Sequence, residues 1–234
     1  MASLKEVKGR IASVNSTRKI TSAMKMVASA KLHKAQAAIE SMLPYERRLH
    51  HILTDFMSNC TEVTSPFIVK REVKKVAVVV FASNTSLCGG FNANVIRHLV
   101  DLLAEYKPLG LENILVFPVG KKVADAVRKL GFRIEGDFQH MADKPSYQEA
   151  ADLAADLMKR FLHGDVDKVE LLYNHFKSTA SQILTRETYL PIDLNNEKKE
   201  EERTIDYILE PSAEELMQEM LPKVLRMKMF NVLL

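Results

Sequence analysis

The first 36 residues contain no Phe, Tyr or Trp, and residues 3–43 contain no proline and a single glycine, Gly9. Without aromatic rings to stack on bases, this stretch lacks the usual equipment for holding single-stranded nucleic acid. Without proline or repeated glycine, nothing in it stops a helix. No run of eighteen apolar residues occurs anywhere in the chain, which excludes a membrane-spanning helix. The first ten residues, MASLKEVKGR, lack the apolar core of a secretion signal, so the expected compartment is the cytoplasm. Only two cysteines occur, Cys60 and Cys88, in no metal-ligand spacing; they read as free thiols in a reducing environment.

Two further absences bear on catalysis. Ser86-Leu-Cys-Gly-Gly90 follows a predicted strand and precedes a predicted helix, where phosphate sites occur. Yet it fits neither G-x-G-x-x-G nor the phosphate-loop pattern, and Gly120-Lys121 lacks the upstream glycine that pattern needs. Both glycine clusters therefore read as tight turns and close packing. The seven histidines, among them His50, His51, His98, His140, His163 and His175, have no partner at ligand spacing. No Ser/His/Asp or Cys/His constellation can be assembled from the sequence. The expectation is a chain with no catalytic, cofactor-binding or metal site of its own.

What is present is a charge asymmetry. Residues 1–36 carry eight basic side chains (Lys5, Lys8, Arg10, Arg18, Lys19, Lys25, Lys31 and Lys34) against one acid, Glu6. The remainder is mildly acidic, so the whole chain nets only +3. A basic arm on an acidic body points to a negatively charged partner. The arm also has an apolar seam: Leu4, Val7, Ile11 and Val14, then Ile20, Met24, Val27, Ala35, Ile39 and Met42, with a phase slip between Val14 and Ile20. Spacings of three and four predict a helix, which over residues 3–43 would reach roughly 60 Å. Pro44 is expected to kink it, with helical spacing resuming over 45–57. Since most helical stability comes from packing an apolar face, the seam predicts coiled-coil pairing.

An alternating pattern follows. Val76–Ala82 is a continuous apolar, β-branched run, the mark of a buried parallel strand. A helix with Val95, Ile96, Leu99, Val100 and Leu103 on one face comes next, then a strand over 114–119, a helix over 121–130 ended by Gly131, and a short strand over 132–134. A helix over 147–162 precedes two successive strands, 169–176 and 182–191, expected as an antiparallel edge pair. The fold class is α/β: a mostly parallel sheet flanked by helices on both faces. Residues 195–203 read as a charged, solvated connection and 204–209 as one more short strand. Ser212 with Glu215 makes a capping box for a last helix from Ala213, with Pro222 expected to interrupt it. The chain closes on Met229-Phe-Asn-Val-Leu-Leu234, an apolar finish that predicts a partner or a continuation.

Leu4-Lys-Glu-Val-Lys-Gly-Arg-Ile11 and Thr17-Arg-Lys-Ile-Thr-Ser-Ala-Met-Lys-Met-Val-Ala-Ser-Ala-Lys31 resemble the gamma subunits of F-type ATP synthases, as do Ser86-Leu-Cys-Gly-Gly-Phe-Asn92 and Tyr207-Ile-Leu-Glu-Pro211. The resemblance runs from end to end. The family has Gly where this chain has Ser86. It implies a Rossmann-like domain and a non-catalytic rotor subunit that couples proton flow through the membrane c-ring to ATP synthesis or hydrolysis at alpha/beta sites. The N-terminal helix would pair antiparallel with a long C-terminal helix, most of which would lie beyond Leu234. Implied partners are the alpha/beta hexamer, the epsilon subunit and the c-ring, with no nucleic acid, no direct membrane span and no cofactor. Met24, Lys25 and Lys31 would meet the beta subunits, and Tyr207 and Glu210 the c-ring. On this reading residues 1–57 form the shaft helix and 73–194 the α/β domain. Residues 195–211 form a connection and foot segment, and 212–234 the start of the C-terminal helix. The place would be peripheral, on the cytoplasmic side of a bacterial plasma membrane. The alternatives are a nucleotide-binding α/β enzyme with a helical arm, against which the missing phosphate loop speaks, and a basic-arm nucleic-acid binder, against which the missing aromatics speak.

Overall fold

The computed structural model describes residues 3–59, 65–178, 181–192 and 213–234. They fall into two units divided between Tyr45 and Glu46.

The first unit is the greater part of helix α1 (Leu4–Asn59). Its apolar seam lies open as far as Val27: Leu4, Val7, Ile11, Val14, Ile20, Met24 and Val27 are all between 41% and 74% exposed, whereas Ala35 and Ile39 are half-buried and Met42 is buried. The phase slip between Val14 and Ile20 does not break the helix. Thr17 and Thr21 fall in or next to that gap, and their hydroxyls bond back to the carbonyls of Ser13 (3.0 Å) and Thr17 (2.8 Å), which keeps polar side chains within a continuous helical path. The helix also runs on through Pro44, whose missing N–H forfeits one ladder bond without ending the element. The boundary between the units comes one residue later.

The second unit is built on a five-stranded sheet in the order β3-β2-β1-β4-β5. Its strands are β1 (Val76–Phe81), β2 (Ile114–Val119), β3 (Arg133–Ile134), β4 (Lys168–Ser178) and β5 (Ser181–Leu190). All neighbours are parallel except β4 and β5, which pair antiparallel as a hairpin. Every residue of β1 and β2 is buried, because both faces of the sheet are covered. Val76, Val78 and Val80 point into one core with α2 (Phe91–Tyr106) and α3 (Lys121–Leu130). Ala77, Val79 and Phe81 point into the other with α4 (Tyr147–His163) and α5 (Ala213–Leu233).

Several boundaries differ from expectation for local reasons. The buried face of α2 is Asn92, Val95, Leu99, Leu102 and Leu103, so Val100 lies 40% exposed on the flank. Pro222 does not interrupt α5, which is continuous to Leu233. The apolar finish is not bare: Met229 is fully buried and Phe230, Val232 and Leu233 pack on the same core, with the Phe230 ring edge-on to Tyr147 at 5.6 Å. The expected strand over 204–209, the connection over 195–203, the capping residue Ser212 and Cys60 lie outside the described residues.

Candidate partner-binding surfaces

On α1, Met24, Lys25 and Lys31 are all exposed, and Met26 adds a second open thioether two residues from Met24. The helix therefore offers apolar and cationic side chains together. Tyr207 and Glu210 lie outside the described residues.

A second surface is the loop joining β1 to α2, at the C-terminal edge of the parallel strands, where α/β sheets place their binding loops. Here the loop is stitched from within. Asn92, in the first turn of α2, accepts the Ser83 backbone N–H at 3.0 Å and the Ser83 hydroxyl at 3.1 Å through Oδ1, and donates to the Thr85 carbonyl at 2.8 Å and to Cys88 Sγ at 3.1 Å. Asn84 accepts the Lys121 backbone N–H at 2.7 Å and donates to the Gln139 carbonyl and to Asp143, which joins three loops. Above these ties Leu87 stands 82% exposed on a fixed support. Gly89 takes φ +57°, the conformation that its lack of a side chain permits. No described non-glycine residue has positive φ, so Ser86 sits without backbone strain. The glycines shape a turn. Replacing Asn92 with Ala orphans the Ser83 N–H and should cost about 2 kcal/mol. The loosened loop should also make Cys88 react several-fold faster with a thiol reagent, and an unchanged rate would show that the stitching does not hold the loop.

The third feature is polar and largely inside. Glu170 on β4 is 2% exposed. It accepts from Tyr106 at 2.9 Å, Lys168 Nζ at 2.6 Å and Arg186 Nε at 2.9 Å, and Arg186 also reaches Glu105 at 2.7 Å. Burial works against the Glu170 charge, but bonds from Arg186, Lys168 and Tyr106 outweigh it and hold the carboxyl below its ordinary range. Burial pushes the Tyr106 hydroxyl up. Burial acts against the Lys168 charge, and the bonds to Glu170 and Tyr106 override it, raising that group. The cluster joins α2 to β4 and β5. It holds the fold together.

The histidines are dispersed: His98 Nδ1 lies 3.0 Å from the Asn94 carbonyl, and His140 Nε2 lies 2.9 Å from Glu149. Among the described residues no three His, Cys, Asp or Glu side chains group to hold a metal ion. None of the described helices is long and apolar enough to cross a membrane.

A family model described as ATP synthase matches residues 3–234. The ATP synthase gamma chain of Phocaeicola vulgatus is 79% identical over the whole of this chain, which spans 82% of that relative's length. This chain belongs to the ATP synthase gamma chain family. The gamma chain of Bacteroides thetaiotaomicron is 60% identical over 99% of this chain and 81% of its own length. A chain in the central stalk and c-ring of the Tetrahymena thermophila mitochondrial ATP synthase has the same fold, with a TM-score of 0.61 at 20% identity, over 92% of this chain and 91% of that one. As a gamma-family member it is a non-catalytic subunit, which agrees with glycines that serve turns rather than phosphates. The Glu170 cluster and the Asn84 and Asn92 ties were not anticipated from sequence. The signal for the first was present, since a single Glu inside the apolar run of a buried strand calls for a buried partner.

Proposed function

We infer that the chain is the central rotor-stalk subunit of an F-type ATP synthase. It couples proton flow through the membrane c-ring to ATP synthesis or hydrolysis at the alpha/beta sites. The observation that carries this is the 79% identity to an ATP synthase gamma chain along its entire length. The open, basic, apolar-seamed α1 supports it physically, because such a helix is useful only where other protein surrounds it. The subunit works by presenting different contacts to each catalytic site as it turns, and so shifts each site between nucleotide affinities. Its place is peripheral, on the cytoplasmic side of the bacterial plasma membrane, with epsilon and the c-ring at the foot.

Met24, Lys25 and Lys31 are the side chains assigned to the beta subunits, and Tyr207 and Glu210 to the c-ring. The lysines steer and guide rather than bind tightly, since exposed ion pairs contribute little each. Replacing Lys25 and Lys31 together with Ala should weaken capture by an alpha/beta hexamer by roughly three- to thirtyfold at low salt, with the difference shrinking as salt rises. A salt-independent loss would remove the electrostatic role. The test of the whole reading is reconstitution with alpha and beta subunits. The chain alone should hydrolyse no ATP, whereas the assembly should show hydrolysis-driven rotation of this chain. Turnover by the isolated chain, or no association, would overturn it.

A further inference from the structure

Helix α5 is held on the second unit by two kinds of contact. One is an apolar stripe, Met217, Leu221, Leu225 and Met229, each at most 2% exposed. The other is a pair of polar ties from β5. The buried Tyr189 hydroxyl donates to the Leu225 carbonyl at 2.7 Å. The Glu187 carboxylate pairs with Lys228 through Oε1 and accepts the Tyr173 hydroxyl at 2.9 Å through Oε2. Glu187 and Tyr189 are two apart on a strand, so they share a face. Leu225 and Lys228 are three apart on a helix, so they too share a face. The ties thus join two successive points of the strand to two successive points of the helix, in opposite chain order.

The two kinds of contact resist different motions. Apolar burial is non-directional and loses little when a helix rotates slightly or slides in its groove. Hydrogen bonds weaken steeply with angle, so two of them spaced along an axis fix both rotation and register. Burial also pushes the Tyr189 hydroxyl far up, keeping it a donor at any working pH.

We propose that Tyr189 and the Glu187–Lys228 pair key α5 to the sheet, so that torque entering the α/β unit reaches this helix without slip. Tyr189 is a positioning residue on this account; it touches no nucleotide. The proposal rests on the rotor reading above and adds to it which atoms carry load.

The test uses the full enzyme in vesicles, carrying Tyr189→Phe, Lys228→Met, or both. The first keeps the volume of the ring, and the second lies at the partly exposed edge, so neither need disturb the core. Unloaded ATP hydrolysis should stay within about twofold of wild type. Torsional stiffness, read from rotor fluctuations with the catalytic ring stalled, should fall at least twofold in the double variant, and the steady-state proton gradient built by hydrolysis should be lower. Stiffness and gradient equal to wild type would overturn the keying role. So would a loss of pumping in step with hydrolysis, which marks a general assembly defect. A wild-type chain that joins no rotating complex would remove the rotor reading and this proposal together. Failure of the variants beside a working wild type would touch the keying alone.

Discussion

Replacing Gly120 with Ala should cost about 4 kcal/mol or more, a large share of the roughly 5–15 kcal/mol that holds a domain folded. Two independent effects act there. Gly120 has φ +114° and ψ 143°, a region closed to residues with a Cβ. A Cβ at this position would also lie 2.0 Å from the Ala82 carbonyl oxygen and 2.8 Å from its carbon. Neither neighbour can yield cheaply, because the Ala82 N–H bonds to the Val119 carbonyl at 2.9 Å, pinning β1 to β2 at this very point. Gly131 is the control. It caps α3 at φ +77°, but a Cβ there meets nothing within 4 Å, so Gly131→Ala should cost only about 1 kcal/mol. Urea midpoints of the two variants decide it, and equal shifts would mean that backbone strain alone, without the clash, sets the cost.

The same site illustrates what a sequence can disclose. Val119-Gly120-Lys121 was readable as a turn glycine because two phosphate-binding patterns failed, but nothing in the sequence told that Ala82 would press against it. The strands at 76–81 and 114–119 and the helix at 121–130 were legible to within a residue, since continuous burial and amphipathic spacing are local signals. The face of α2 was not, because Val100 and Leu102 are equally apolar and only the placement of the sheet chooses between them. Pro222 reads as an interruption, whereas α5 bridges it, and α1 likewise runs on through Pro44: a helix that loses one ladder bond persists when the turns on both sides continue it. The apolar finish of α5 was read as an open end because the core that covers Met229 is supplied by α4 and the sheet, distant in sequence. The helix of the basic, seamed arm and its exposure as far as Val27 were legible, since spacing and charge are local signals.

Glu170→Gln should destabilise the second unit by about 3 kcal/mol at pH 7. The substitution keeps the shape of the side chain and removes the charge, and its amide would present donors to groups that are themselves donors. Lys168 and Arg186 would then crowd together without their common counter-ion. Both are partly exposed and can turn toward water, which keeps the cost at the lower end for a broken buried pair. The pH dependence gives a sharper test. Because the folded carboxyl is held below the ordinary value of 4.5, an unfolded chain takes up this proton first as pH falls. The stability it confers is therefore complete above about pH 4.5 and drains away below that, until the folded carboxyl is protonated too. Other carboxylates also titrate there, so the quantity to follow is the difference in unfolding free energy between wild type and variant. That difference should narrow steadily from pH 5 to pH 3. If it instead stays constant through acid, Glu170 acts through packing, and the ionic account of how α2 is bound to β4 and β5 fails.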